Sequence, residues 1–238
     1  MKSDINQLKS RGYVEDEDLL KYGYESKEEL YKLLQSKTPI ERTIASKLLI
    51  KYKDTETMLA LIKALSKEKK LYTKIALSES VSVYGEKASE VLIKHLGLVG
   101  KNQHGTLPKK KFGKNNYPLP RDIIARTICK IGTPALKHLR LCLKTGEYHQ
   151  ILEAIDAIGF ISFYEHNEES FDDLIDLFDR YESDDLMIWK LIRSLQSFAN
   201  EESTRILDNY TQSNVIQHKW EAERSLEQIR RIKVKDNG

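Results

Sequence analysis

The chain contains few of the residues that characterise several special classes of protein. Two cysteines, five prolines and eleven glycines in 238 residues are too few for a disulfide-rich, collagen-like or low-complexity chain. No apolar run is long enough to cross a membrane, and the N-terminal residues lack the apolar stretch of a secretory signal. With 40% hydrophobic and 32% charged residues, the composition predicts a globular, cytoplasmic protein without a membrane partner.

Motifs of the common catalytic and cofactor sites are absent as well. The sequence has no G-x-S-x-G, no phosphate-binding loop, no G-x-G-x-x-G and no H-E-x-x-H. Cysteine and histidine group together only at Cys129, His138, Cys142 and His149, and this spacing matches no zinc finger or ribbon. We therefore expect no catalytic residue, no metal site and no cofactor, and two reduced cysteines.

Apolar residues recur at the three- and four-residue spacing of amphipathic helices along nearly the whole chain, which predicts an all-α fold. The predicted helices span residues 15–21, 27–36, 39–52, 55–67, 70–84, 88–97, 121–131, 134–144, 147–163, 168–181, 184–199, 201–211 and 215–232. The predicted N-caps are Ser26 (in a capping box with Glu29), Thr38 (with Pro39 and Glu41), Asp54, Ser183 and Asn200.

The second helix of each predicted pair carries a recurring pattern. A small or apolar residue is followed by apolar residues three and six positions later, and often by glycine. The full copies begin at Ser78, Ala125 and Leu152, and their glycines are Gly85, Gly132 and Gly159; degenerate copies begin at Ala45 and Ile192. Successive copies start 27 to 47 residues apart, which indicates a repeated two-helix unit.

The clearest copy lies at residues 121–139, RDIIARTICKIGTPALKHL, where one apolar helix ends at Ile-Gly and the next begins at Thr-Pro-Ala. This stretch resembles the HEAT-like repeat family, particularly its phycobilin-lyase type, and the resemblance covers roughly residues 38–232. It implies a right-handed α-solenoid of about six helical pairs. We expect a single domain over residues 1–238, with residues 1–26 as an N-terminal cap.

The resemblance says little about activity. Some HEAT-type proteins are iron hydroxylases that use His-Glu pairs, but this chain has no His-Glu dipeptide. Phycobilin lyases share the repeat, but this is an analogy at the level of the fold, and no active-site motif of the HEAT-like alkylpurine DNA glycosylases aligns here. A lyase or glycosylase is therefore the weakest of the functional hypotheses.

Charge is distributed unevenly along the chain. Residues 91–121 contain seven basic and no acidic residues, whereas residues 165–185 contain ten acidic residues and one basic residue. Three prolines fall within residues 100–120, GKNQHGTLPKKKFGKNNYPLP, and predict a long basic loop inserted between helical pairs. The acidic residues alternate with a core stripe, so we interpret them as the solvent-exposed face of a helix; the alternative is a contact with a basic partner or with the basic loop.

Two sets of residues are candidate binding sites. In the basic loop, cations could contact phosphates or an acidic protein surface, and aromatic rings could stack on bases; alternatively, the loop is a mobile, solvated insertion. The loop candidates are Lys101, Lys109, Lys110, Lys111, Phe112, Lys114, Tyr117 and Arg121. The candidates on the concave face of the expected solenoid are Arg42, Lys74, Arg126, Lys130, Trp189 and Arg193. Trp189 and Trp220 are either partner-facing anchors or core residues.

These patterns favour a non-catalytic scaffold protein, monomeric by default, that presents its concave face and its basic loop to a protein partner. The alternative is a nucleic-acid-binding protein, of a DNA-repair-like kind, that contacts phosphates through residues 100–121.

Overall fold

The computed structural model describes residues 4–236, and it describes side chains as far as residue 232. The chain divides into two compact units, Met1–Leu92 (unit 1) and Ile93–Gly238 (unit 2). The described residues form helices and irregular segments without any strand. The single domain expected from the sequence stays a prediction.

Unit 1 contains seven described helices, of which α1 was not predicted from the sequence and buries no residue. These helices are α1 (Ile5–Lys9), α2 (Asp16–Leu20), α3 (Lys27–Leu34), α4 (Pro39–Leu49), α5 (Thr55–Lys67), α6 (Leu71–Ser82) and α7 (Glu86–Leu92).

Unit 2 contains seven further described α-helices and three short 3₁₀ turns. The helices are α8 (Ile123–Ile131), α9 (Leu136–Thr145), α10 (Tyr148–Glu165), α11 (Phe171–Arg180), α12 (Asp185–Ser194), α13 (Glu201–Tyr210) and α14 (Ile216–Asp236). The 3₁₀ turns are Ile93–His95, Thr133–Ala135 and Leu195–Ser197. Within residues 4–236, every helix is too short or too polar to cross a lipid bilayer.

The helices pack as successive pairs within each unit. In unit 1, α3 pairs with α4, α5 pairs with α6, and α4 packs against α6. In unit 2, α9, α11 and α13 each pair with the helix that follows, while α10 packs against α8 and α12, and α12 packs against α14. This pairing agrees with the repeat seen in the sequence and is compatible with a helical repeat fold.

The repeat residues form the core of each unit. Ala45 and Val81 in unit 1, and Ala125, Ile155 and Ile192 in unit 2, are completely buried. Hydroxyl groups also cross between equivalent helices of successive pairs. Ser80 donates to the backbone oxygen of Ser46 over 2.9 Å, and Ser225 donates to that of Ile192 over 3.2 Å. A serine hydroxyl reaches a neighbouring backbone only where two helices approach closely, so these small residues permit the close packing.

Three of the predicted N-caps are confirmed. Ser26 and Glu29 form a reciprocal capping box, in which Ser26 Oγ accepts from the Glu29 N–H over 3.2 Å. Asp54 accepts from the backbone N–H of Thr57 over 2.9 Å, and Asn200 accepts from the third N–H of α13 over 2.8 Å. These side chains satisfy helix N–H groups that would otherwise lack partners.

The other two predictions fare differently. Thr38 is the N-cap residue of α4 and Pro39 is its first residue, as predicted, but the predicted capping box is wrong, because Thr38 makes no capping hydrogen bond and Glu41 instead accepts from the hydroxyl of Ser36. Helix α12 is capped by Asp184, one residue after the predicted Ser183, because the carboxylate of Asp184 immediately precedes the first helical residue and reaches its third N–H over 2.9 Å.

The three glycines of the repeat pattern do not all end helices. Gly85 and Gly132 have φ values of +59° and +77° and follow α6 and α8, as the pattern predicts. Gly159 instead lies inside α10, which continues to Glu165. Its lack of a side chain has a different reason, because a Cβ there would overlap the hydroxyl of Tyr117.

Candidate ligand-binding site

The basic loop, residues 100–120, and the residues that flank it are packed onto the helices of unit 2. Gln103 donates from Nε2 to the backbone oxygen of Val99 over 2.8 Å and to the carboxylate of Asp122 over 2.7 Å. Asp122 in turn caps α8 by accepting from the third N–H of that helix. At the next residue of α8, Arg126 donates from its Nε to the backbone oxygen of Pro120. The loop is therefore attached to α8 by specific hydrogen bonds.

Tyr117 is the residue that inserts most deeply from the loop into unit 2. Its side chain is 1% exposed, and its ring contacts Phe160 and Phe163 of α10 at centroid distances of 6.3 and 5.8 Å. Burial raises the pKa of the Tyr117 hydroxyl well above its ordinary value. The expectation that Tyr117 stacks on bases is therefore wrong, because its ring is enclosed in the core.

The loop covers a cavity of about 400 Å³ in unit 2, within the size range of small-molecule and cofactor sites. Its walls come from the loop and from three helices, α10, α12 and α14. Lining residues include Lys110, Lys111, Phe112, Lys114 and Arg121 of the loop, together with His104, Asp156, Trp189, Arg193, Trp220 and Glu221. Tertiary packing thus brings members of both predicted residue sets to one site.

One wall is a stack of aromatic and guanidinium groups. The guanidinium carbon of Arg193 lies 3.8 Å from the centroid of the Trp189 ring, and the ring of His104 packs edge-on against Trp189 at 5.0 Å. Phe112 of the loop lies 5.2 Å from the guanidinium carbon of Arg224. Burial lowers the pKa of His104 to about 4, so its imidazole is neutral at pH 7.

Arg193 and Arg224 share one buried carboxylate. Glu221 accepts from Arg193 Nη2 over 3.1 Å and from Arg224 Nη2 over 2.6 Å. Burial alone would raise the pKa of Glu221, but the two guanidinium charges outweigh burial and hold it below its ordinary value. Glu221 is therefore ionised, and it fixes both arginines beside the loop.

A second buried charge cluster lies behind the same wall. Lys190 is completely buried, and its ammonium donates to Glu153 over 2.8 Å, to Asp156 over 2.9 Å and to the backbone oxygen of Leu152. Burial raises the pKa of Glu153 to about 7, against the opposing charge of Lys190. Asp156 thus borders the cavity as a residue, while its Oδ1, like Oε2 of Glu153, is itself buried and has no hydrogen-bond partner among the described residues.

Two of the residues expected on an open concave face are buried instead. Trp189 is 1% exposed and Arg193 is 5% exposed, because α12 is packed against α10 and α14 and is covered by the loop. They border the cavity rather than an open surface. Of the two interpretations of Trp189, partner-facing anchor or core residue, its burial agrees with the core residue.

The remaining predicted residues lie outside the cavity. Lys101, Lys109 and Lys130 are exposed, and Arg126 is half-buried. Arg42 and Lys74 belong to unit 1, where the guanidinium of Arg42 is paired with Glu68 through two hydrogen bonds of 2.8 and 3.0 Å. Their role as binding residues stays a prediction.

The acidic helix α11 is not wholly a solvated face. Asp173 is 7% exposed and forms ion pairs with Arg140 and with Lys144, the latter at 2.7 Å. Both cysteines, Cys129 and Cys142, are buried free thiols. In the described part of the chain, no three His, Cys, Asp or Glu residues are grouped so that they could hold a metal ion.

Three residues of the site were not selected from the sequence. His104 borders the cavity directly, while Glu221 and Arg224 support the arginine wall. Asp156 lies off the apolar stripe of its helix, which is also the signature of a solvated residue, so the sequence carried no signal that separates the two. The position of His104 inside the basic loop was the available signal for that residue.

Comparisons with known proteins add little to this description. No family model matches the chain, and no curated protein matches it significantly. Two crystal structures of engineered proteins from the Northeast Structural Genomics Consortium are similar over most of its length. The first is 14% identical in sequence, the match spans 86% of this chain and 96% of the engineered chain, and the TM-score is 0.36. The second is 16% identical, the match spans 87% of this chain and 99% of the engineered chain, and the TM-score is 0.39. At these scores the similarity supports no conclusion about function.

Proposed function

We propose that unit 2 is a non-catalytic binding module for single-stranded nucleic acid. The observation that carries this proposal is the position of the basic loop, which brings Lys110, Lys114 and Arg121 to a cavity whose walls include the half-buried ring of Trp220. Cations that follow a phosphate backbone beside aromatic rings that face bases are the combination that single-strand binding requires.

The charge of the lining favours an anionic ligand. Among the described residues that line the cavity, five are cationic and two are acidic. Glu221 is paired with Arg193, and Lys111 forms an ion pair with Glu223 at 3.2 Å. Lys110, Lys114 and Arg121 are exposed and have no carboxylate partner among the described residues. These three cations are therefore available to phosphates, and each phosphate contact releases counterions.

A protein partner, bound through the concave face, stays a prediction. Trp189 and Arg193, the two residues of α12 that were expected to contact such a partner, are buried. No observation on the described residues adds support for a protein partner on that face. A pull-down with and without nuclease separates the two hypotheses, because a nuclease-insensitive partner favours the protein-binding scaffold.

The finer architecture is also a proposal. We infer a right-handed α-solenoid of about six HEAT-like pairs, supported by the helix pairs in each unit and by hydrogen bonds between equivalent helices about one repeat apart, such as Ser80 to Ser46 and Ser225 to Ile192.

The proposed function is tested by fluorescence anisotropy with a labelled single-stranded oligonucleotide at several salt concentrations. We expect the native chain to bind, with an affinity that falls as salt rises. Replacing Lys110, Lys114 and Arg121 by Gln removes up to three phosphate contacts, so the slope of log affinity against log salt becomes shallower by up to about 2.

The matched control replaces Lys47, Lys53 and Lys87 by Gln, because these exposed lysines of unit 1 give the same change in net charge. This control variant keeps the native slope if the loop cations make the contacts. Equal slopes for the two triple variants, or no binding by the native chain at low salt, would contradict the proposal.

A further inference from the structure

We propose that unit 1 binds an acidic amphipathic helix of a protein partner in a groove along the flank of α5. This groove, the α5 groove, has a volume of about 750 Å³ and is bordered by α3, α4, α5 and the segment that follows α5. Its lining residues include Leu34, Ala60, Lys63, Ala64, Lys67 and Lys70. The groove lies wholly in unit 1, so the inference does not depend on the function proposed for unit 2.

The groove exists because α5 is longer than the helix beside it. The first turns of α3 and α5 are joined, since Lys27 Nζ lies 3.1 Å from a carboxylate oxygen of Glu56 and the hydroxyls of Tyr31 and Thr57 are 2.9 Å apart. Helix α3 has 8 residues, whereas α5 has 13. The C-terminal half of α5 therefore extends past the end of α3, and its flank borders the groove.

The floor of the α5 groove is apolar. Ala60 and Ala64 lie one turn apart on α5 and are half-buried, and Leu34 at the end of α3 is 6% exposed. Alanine side chains are small, so the floor leaves room for the larger apolar side chains of a second helix, which project at the same one-turn spacing. A helix that packs along α5 would bury its apolar residues against this floor.

The edge of the groove carries cations that have no carboxylate partner among the described residues. These are the exposed lysines Lys63, Lys67, Lys69 and Lys70. The two acidic lining residues are already paired, Glu56 with Lys27 and Glu68 with Arg42. Two of the free lysines lie one turn apart on α5, so carboxylates at one-turn spacing on a partner helix could pair with both.

The groove fits an acidic helix better than a nucleic acid. The aromatic lining residue, Tyr31, already has the ammonium of Lys27 5.4 Å from its ring centroid. The guanidinium of Arg42 donates to Glu68 and to the backbone oxygen of Ser36. Both groups that could stack on bases are therefore engaged. An apolar floor beside several separate cations instead complements the two faces of an acidic amphipathic helix.

The test is an anisotropy titration of the full chain with two labelled synthetic peptides of identical composition. In the first peptide, leucines recur at the spacing of one helix face and glutamates flank them. In the second, the same residues are scrambled so that no apolar face forms. The charges are identical, so the ratio of the two affinities reports the apolar floor. We expect the amphipathic peptide to bind more tightly by about tenfold or more, and more weakly as salt rises.

Two triple variants test the cations. The charge variant replaces three lysines of the groove by Gln: Lys63, Lys67 and Lys70. It should bind the amphipathic peptide about tenfold more weakly, the combined effect of three solvent-exposed ion pairs. The matched control replaces three exposed lysines of unit 1 outside the groove by Gln: Lys47, Lys53 and Lys87. This control has the same net charge as the charge variant and should keep the native affinity.

The variant Ala64→Gln tests the floor separately. It keeps every lysine and places a longer, polar side chain on the floor, so it should weaken binding of the amphipathic peptide and leave binding of the scrambled peptide unchanged. Position 64 is half-buried, and glutamine is a good helix former, so α5 is retained.

Each outcome has a defined consequence. Equal affinities of the native chain for the two peptides, no binding of the amphipathic peptide, or equal affinities of the two triple variants overturn the inference. Self-association of the native chain that only the charge variant loses assigns the groove to a second copy and also overturns it. So does a charge variant that loses affinity for a single-stranded oligonucleotide. A native chain that binds the amphipathic peptide and no oligonucleotide overturns the proposed function alone and leaves this inference standing.

Discussion

Tyr117 of the basic loop lies against Gly159 in the middle of α10, with its hydroxyl where a Cβ at position 159 would be. The two residues join the loop to the helix that carries Asp156. A glycine in a helix interior is normally unfavourable by about 1 kcal/mol relative to alanine, so the contact with Tyr117 explains why it is tolerated here.

Replacing Gly159 by Ala should therefore destabilise unit 2 in spite of the better helix propensity of alanine. Overpacking against Tyr117 costs about 1 to 3 kcal/mol, which we expect to see as a lower denaturation midpoint and as faster proteolysis within residues 100–120. Gly113→Ala is the control, because an added Cβ there has no neighbour within 4 Å. An unchanged or higher midpoint for Gly159→Ala would show that the loop is not held by this contact.

Lys190 should be required for stability. It is the ammonium between Glu153 and Asp156, and its replacement by Met leaves both carboxylates buried without a counter-charge. Breaking a buried ion pair from one side costs about 3 to 5 kcal/mol. The triple variant Lys190→Met, Glu153→Gln, Asp156→Asn removes all three charged groups of the cluster. In urea denaturation it should recover most of the free energy of unfolding that the single variant loses. Equal midpoints for the single and triple variants would contradict the assignment of the cost to unpaired charge.

Glu153 should make stability depend on pH. The folded chain keeps a proton on Glu153 up to about pH 7, because burial raises its pKa to that value, whereas the unfolded chain loses this proton near 4.5. Between these limits the folded state binds more protons, so the contribution of Glu153 falls as pH rises through this window, by up to about 3 kcal/mol in total. Glu153→Gln should flatten this part of the profile, measured as urea midpoints from pH 4.5 to 8. Glu182→Gln, at an exposed position, should keep the native profile.

His104 should contribute with the opposite sign. Burial lowers its pKa to about 4 from 6.5, so between these values the unfolded chain holds a proton that the folded chain lacks. The contribution of His104 to stability therefore rises with pH across this window and is complete above it. An NMR titration should show one histidine ring that remains neutral down to about pH 4, and this resonance should be absent from His104→Gln. A ring that titrates near 6.5 would mean that the loop does not bury it.

Helix positions and several caps could be predicted from the sequence because they depend on local interactions. The predicted helix over residues 55–67 agrees with Thr55–Lys67 in the structure, and Asp54 caps it through a residue three positions away. The cap at Ser183 was predicted wrongly because two adjacent polar residues, Ser183 and Asp184, compete for the same role, and only the geometry of the turn selects between them. Thr38 was placed correctly, but its capping box with Glu41 does not form.

The cavity could not be predicted in the same way. Lys190, Arg193 and Asp156 lie off the apolar stripes of α12 and α10, a position that normally means exposure to solvent. In the structure these helices have neighbours on more than one side, so their polar faces are buried as well and their charges pair with each other. A periodic pattern cannot show this, because it describes one helix at a time.

The sequence by itself determined the all-helical class, the paired repeat and the existence of a long basic loop, since apolar periodicity, glycine and proline act over a few residues. Only the tertiary structure decided that Tyr117 is a core residue, that Trp189 and Arg193 form a wall under the loop, and that one oxygen of Asp156 is left without a partner. Those properties depend on contacts between residues that are far apart in the chain, and such contacts exist only after the helices have packed.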